Sequence, residues 1–353
     1  MDYTKRLIAL IEAVLSQGAS DLHLAVSAHP TMRVSGTLVP LLTEALLTPE
    51  DTAGLLKAML SEELHKRFID TKEIDFSYSF GEKARFRGNG YVERGRTAIA
   101  LRLIPQQIKA LKDLNLPSII ETFTTREQGF FLVVGPVGQG KTTTLASMIE
   151  TINTTRTDHI ITIEDPIEYL FENKKSLINQ REVRIDTEDF PSALESVFRE
   201  DVDVVMIGEM RAPETIATAV TAAETGHLVF STLHTNNASQ TIDRIIDSFP
   251  GNQQDQIRVQ LAGSLIGIFS QRLLPRISGG QVPACELLIN NSAVANLIRE
   301  RRTHEIPTII ETSAEAGMID MNRSLAELVR AGEISIETAY SRSWNPKTLE
   351  RLL

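Results

Sequence analysis

Residues 129–152 run glycine, five apolar residues, a glycine-rich turn, Lys141-Thr142 and then a helical repeat. No other feature of the 353-residue chain restricts its fold as strongly. Gly135-Pro136-Val137-Gly138-Gln139-Gly140-Lys141-Thr142 fits the pattern G-x-x-x-x-G-K-[ST] in full. The glycines let successive backbone N–H groups converge on an anion where a side chain would block its approach. The helix beginning at Lys141 aims its positive end at the same point. Residues 135–143, through Thr143, are therefore the expected nucleotide-binding set, with Lys141 on the β- and γ-phosphates and the Thr142 hydroxyl on Mg²⁺.

A strand feeding such a loop belongs to a sheet covered on both faces, and the surrounding pattern agrees. Residues 160–163, 204–207 and 228–230 are short apolar runs of buried-strand type, separated by helix-length segments. From Gln256 onward the chain reads as mostly helical, including 292–301 and 321–330. The N-terminal third has a different texture. Leu7, Ile8, Ile11 and Leu15 mark one face of a helix over 3–16, ended by Gly18. Alternating segments at 22–26, 32–34, 74–80, 85–91 and 97–103 enclose two helices at 49–59 and 62–68. The expected organisation is an α+β domain over 1–104, a proline-bounded linker over 105–117, and a P-loop domain over 118–353 with a helical C-terminal region.

Hydrolysis needs a carboxylate that orients water in line with the γ-phosphate. In an open α/β sheet it should stand at a carboxyl strand end near the loop. Glu209 follows the 204–207 run, and Glu164-Asp165 follow 160–163 with Pro166 breaking the strand behind them. Glu209 is the expected base. Glu164 is expected to help hold the water, and Asp165 or Glu164 to reach the metal through water. His234 ends the third strand, placed to donate to the γ-phosphate, although a lone histidine is more often a satisfied structural residue.

Bulk properties narrow the partners. A net charge of −10 and a pI near 5.3 argue against nucleic acid as the main partner, which usually demands a basic footprint. Cys285 is the single cysteine, so neither an internal disulfide nor a four-cysteine zinc site is available, as suits a reducing cytoplasm. No run approaches the roughly 20 apolar residues that cross a bilayer. No signal peptide is visible over 1–20, and membrane association is expected only through partners.

The segments GPVGQGKTTTLASMI, IITIEDPIEYLF and VVMIGEMRAPETIATAVTAAETGHLVFSTLHT resemble, in order and spacing, the Walker A segment, Asp box, Walker B segment and His box of secretion-superfamily ATPases. ASDLHL, ALRLIP and AVANLIRE narrow the resemblance to the retraction ATPases of type IV pili, and it extends from about Gly18 to Leu328. That resemblance implies a PAS-like N-terminal domain, a RecA-like ATPase domain, a ring of six copies, and ATP with Mg²⁺ held between domains. It also implies arginines completing the site. The candidates are Arg85, Arg87, Arg94 and Arg102, with Arg102 preferred and Arg87 next; a solvated strand face accounts for at least two of the four. The implied partners are other copies of the chain, an inner-membrane platform protein and a second pilus ATPase, at the cytoplasmic base of the pilus machine.

Four positions in three segments depart from the family pattern. Val137 and Gln139 stand where Thr and Ser are usual, Ala295 replaces an arginine in AVANLIRE, and Ala212 replaces the acid after GEMR. These keep open a nucleotide-sensing partner with weak hydrolysis. An assembly ATPase of the same superfamily is disfavoured by the short N-terminal region and the missing zinc motif. A nucleic-acid translocase is disfavoured by charge.

Overall fold

A computed structural model describes residues 2–34, 36–81, 83–105 and 107–353. Met1, Ser35 and Glu82 of the expected first domain, and Gln106 of the expected linker, lie outside the described residues. The chain divides into two compact units, residues 1–107 with 166–170, and residues 108–165 with 171–353.

The first unit is α+β. It comprises α1 (Tyr3–Ser16), β1 (Asp21–Leu24), β2 (Thr31–Val34), β3 (Thr37–Pro40), α2 (Pro49–Met59), α3 (Glu62–Thr71), β4 (Glu73–Phe80), β5 (Ala84–Glu93) and β6 (Arg96–Ile104). Its six strands pair in the order β3-β2-β1-β6-β5-β4 through antiparallel ladders. Leu7, Leu10, Ile11 and Val14 of α1 recur at helical spacing and are buried with Phe76, Phe86 and Leu101 of the sheet. Thr48 and Asp51 form a reciprocal capping box that starts α2.

The second unit is α/β. Its elements are β7 (Gly129–Val134), α4 (Lys141–Thr155), β8 (His159–Glu164), β9 (Leu177–Glu182), α5 (Phe190–Val197), β10 (Val204–Ile207), α6 (Pro213–Glu224), β11 (Leu228–Leu233), α7 (Ala238–Asp247), α8 (Gln254–Ser264), β12 (Leu265–Pro275), β13 (Gln281–Ile289), α9 (Ser292–Arg299), α10 (Ile306–Thr312), α11 (Met321–Arg330), α12 (Ile336–Arg342) and α13 (Pro346–Leu352). Short 3₁₀ helices at Leu111–Leu114 and Ser118–Phe123 precede β7. The sheet order is β13-β12-β7-β11-β10-β8-β9, parallel except for β13. Every residue of β7, β10 and β11 is buried, because helices cover both faces. Phe130, Leu132 and Val134 face α6, α7 and α8, whereas Phe131 and Val133 face α4. Four parallel strands thus end side by side, β7, β11, β10 and β8, and their carboxyl ends carry the loops of interest.

The expectation of a mostly helical chain after residue 256 needs correcting. β12 and β13 form a nine-pair antiparallel ladder within that stretch, joined to β7. Ser270-Gln271-Arg272 interrupts the apolar run by which a buried strand is recognised, and these side chains turn out to face loops. β9 was also not anticipated; it is a largely polar edge strand.

Candidate functional site

β7 delivers the chain to Gly135, whose φ of +147° admits no side chain comfortably. Gly138 and Gly140 also take positive φ, +76° and +79°. Gly140 serves as N-cap of α4 without a side-chain cap, and no acid occupies the first turn. The amino end of α4 therefore keeps its backbone donors and dipole for an external anion. Lys141 is buried, and its Nζ donates to the carbonyls of Gly135 and Pro136, 2.9 Å each. Thr142 and Thr143 are half-buried in the first turn. A glycine cradle, an uncommitted helix end and a buried ammonium together fit a polyphosphate.

The two loop departures have different structural meanings. Val137 is 81% exposed at the apex and packs against little. Gln139 instead takes up a tertiary role: its Oε1 accepts a hydrogen bond from the Leu273 N–H at 2.8 Å.

Three strand ends bring the charged residues together. His234, just after β11, has Nδ1 3.3 Å from Lys141 Nζ and Nε2 3.5 Å from Glu209 Oε2. Glu209, after β10, is also held by Arg211, at 2.9 Å from Nε and 3.0 Å from Nη2. Its side chain is 24% exposed, so the carboxylate reaches solvent while its direction is fixed from two sides. The sequence-expected residues Lys141, His234 and Glu209 are thus one cluster. Glu164 is buried at the end of β8. Its Oε1 accepts from Thr162 Oγ1 at 2.7 Å and from Gln180 Nε2 at 3.1 Å, which fixes the carboxylate in place. Asp165 lies 3.3 Å from Arg184 Nη2.

The arginine candidates belong to the first unit. Arg102 Nε donates to Asp21 Oδ1 at 2.9 Å, and the two face each other directly across the β1–β6 ladder. Burial alone would raise the Asp21 carboxyl, but hydrogen bonds from Ser20 and Arg102 hold it below its ordinary range. Arg87 Nη1 lies 3.6 Å from Glu168 Oε1, within the 166–170 segment that clusters with this unit. Arg94 is on a left-handed turn and largely exposed, beside Glu93.

The sequence reading missed the contribution of β12 and β13. Ser270 Oγ donates to the Asn236 carbonyl at 2.7 Å, Arg272 Nη2 to Asn236 Oδ1 at 2.7 Å, and Glu286 Oε1 accepts from the Ala238 N–H at 2.8 Å. These contacts fix the segment running from His234 into α7. The signal that pointed to them is the same polar triplet within an apolar run. Burial pushes the Glu286 carboxyl up to about 8, against the lowering effect of the Ala238 N–H and with help from Asp320. Between its ordinary 4.5 and about 8, the folded chain keeps a proton that the unfolded chain has released. The associated stability is whole below 4.5 and is lost as pH rises through about 8. Urea unfolding from pH 5 to 8 should therefore show stability falling by up to about 1.4 kcal/mol per pH unit from this group. Glu286→Gln should remove that slope, and an unchanged slope would reject the assignment. Cys285, beside it, is buried with its thiol pushed up to about 12, and acts as a packing residue.

Comparison with known proteins agrees with this geometry. The model of the family described as "Type II/IV secretion system protein" matches residues 3–343. A "Twitching motility protein" of Neisseria gonorrhoeae is 44% identical over 304 residues, covering 86% of this chain and 81% of that protein. The "Type IV pilus retractation ATPase PilT" of Pseudomonas aeruginosa is 40% identical, covering 98% of this chain and 99% of that one. The crystal structure of the pilus retraction motor PilT with bound ADP superimposes with a TM-score of 0.91 at 48% identity, covering 97% and 98% of the two chains. With its loop, strand ends and full-length matches in agreement, the chain belongs to the type II/IV secretion system protein family, in its PilT-like group of type IV pilus retraction ATPases.

Proposed function

We propose that this chain is an ATPase motor that works as a ring of six copies and powers type IV pilus retraction, the basis of twitching motility. The observation that carries the reading is the approach of Lys141, His234 and Glu209 at the carboxyl edge of β7, β11 and β10. In this reading residues 135–143 grip the phosphates of ATP, with Lys141 leaving its loop carbonyls for the β- and γ-oxygens. Glu209 accepts a proton from the attacking water, and its pairing with Arg211 fixes where the proton is received. His234 contacts both Lys141 and Glu209, so it senses the γ-phosphate and reports it to the loop leading into α7. Glu164, locked by Thr162 and Gln180, orients the water from the other side.

Bound Mg²⁺ would neutralise the negative charge that develops during hydrolysis. Thr142 is the hydroxyl suited to hold it, with Asp165 or Glu164 reaching it through water. Arg102 and, after it, Arg87 supply positive charge toward the γ-phosphate once the site is assembled. Domain closure on ATP then becomes movement.

Among the described residues no helix is long and apolar enough to cross a membrane. In this reading the force is passed at the cytoplasmic base of the machine to an inner-membrane platform protein, alongside a second pilus ATPase. The domain organisation proposed is 1–104, a linker over 105–117, and 118–353.

Steady-state phosphate release from Mg-ATP by the purified chain tests the chemistry, and no turnover would favour a nucleotide sensor. Deleting the gene tests the role: cells should keep pili that fail to shorten, whereas bald cells would mark an assembly motor.

A further inference from the structure

Successive side chains of a strand point to opposite faces of the sheet. On β12 this sends Ser270 and Arg272 to the α7 side, where they hold Asn236, and Gln271 to the α4 side. Gln271 is 3% exposed. Its Oε1 accepts from Thr144 Oγ1 at 2.7 Å, and its Nε2 donates to the Gln139 carbonyl at 2.8 Å. Two positions along, the Leu273 N–H donates to the Gln139 side chain. The phosphate loop lies so close that a Cβ on Gly135 would stand 2.6 Å from the Gln271 carbonyl oxygen, and one on Gly140 would stand 2.9 Å from Gln271 Nε2.

An apolar side chain would fill the same space without the cost of burying an amide. What the amide adds is direction. In a trans peptide the C=O and the following N–H point opposite ways. Pinning the Gln139 carbonyl onto β12 therefore turns the Gly140 N–H away from β12, while the bond to Thr144 ties the first turn of α4 to the same side chain.

We propose that Gln271 is a positioning residue for nucleotide binding. It sets the orientation of the Gln139–Gly140 peptide and the register of α4 beneath the phosphates, and it touches neither substrate nor water. Gln139 cooperates through its own side chain, so this departure from the family pattern becomes a second anchor on the same strand. The inference rests on the nucleotide reading above and adds a determinant of affinity to it.

The test separates affinity from chemistry. For the parent, Gln271→Met and Thr144→Val, one measures the Kd of a fluorescent ADP analogue together with KM and kcat for Mg-ATP. Gln271→Met should raise Kd and KM about tenfold, through loss of two buried hydrogen bonds, with kcat at saturation within about twofold. Thr144→Val, breaking one of those bonds, should raise both about threefold. Amide exchange at residues 137–140 should quicken in Gln271→Met.

A Kd and KM within about twofold of the parent would overturn the proposal, as would a fall in kcat with affinity unchanged. If Gln271→Met does not fold by circular dichroism, Thr144→Val decides by the same measure. A parent that fails to bind the analogue would instead refute the nucleotide reading itself.

Discussion

Lys141→Ala is expected to reduce ATP turnover by about a thousandfold and to weaken nucleotide binding at the same time. Two losses combine. The substituted chain has no buried ammonium to meet the β- and γ-phosphates. It also leaves the Gly135 and Pro136 carbonyls without the donor that draws them together, so the loop loses part of its own shape. The contact to His234 disappears as well, which uncouples the loop from the neighbouring strand end. Phosphate release in a coupled assay and binding of a labelled ADP provide the two readouts. Turnover within tenfold of the parent would show that the loop backbone alone does the work and that Lys141 has been misjudged.

Glu209→Gln should act differently. The side chain keeps its size and one acceptor for Arg211, so nucleotide affinity should stay within about threefold of the parent, while turnover falls by about two to three orders of magnitude. Losing turnover without losing binding is the signature of a residue that handles the attacking water. If the glutamine form hydrolyses at the parent rate, the base is elsewhere, and Glu164 becomes the next residue to change. Glu164 differs in one respect that bears on this choice. Both carboxylates are held by neighbouring side chains, but Glu164 is buried, whereas Glu209 keeps a side open toward solvent. A carboxylate must hold a water to act as a base, and Glu209 has the room.

These residues differed in how readily they could be read from sequence, and for physical reasons. β7, β10 and β11 were visible because both of their faces are buried, which leaves an unbroken apolar run. The glycines of the loop were visible because glycine takes the positive φ required there without steric cost. Glu209 and His234 stood out as polar residues at the ends of such runs, and the fold placed them within 3.5 Å of each other.

β12 was hidden because three of its side chains serve loops rather than core, so its pattern imitates neither a buried strand nor an amphipathic one. The bond between Gln139 and Leu273 joins residues 134 positions apart and leaves no local trace. The same holds for Arg102 and Asp21, whose pairing depends on the β1–β6 register. Residues 166–170 cluster with the first unit although they lie far along the chain, a grouping that a linear boundary at 105–117 does not express.

The ammonium of Lys141 has acceptors of its own inside the loop, and this shapes how the motor handles its fuel. Each arriving phosphate must compete with two carbonyls for the same cation, so the grip measured from outside is a difference between two good alternatives. A spent product meets the same competition on its way out, and the lysine that welcomed it helps to dislodge it. A machine that must cycle many times benefits from a clasp that springs back on itself.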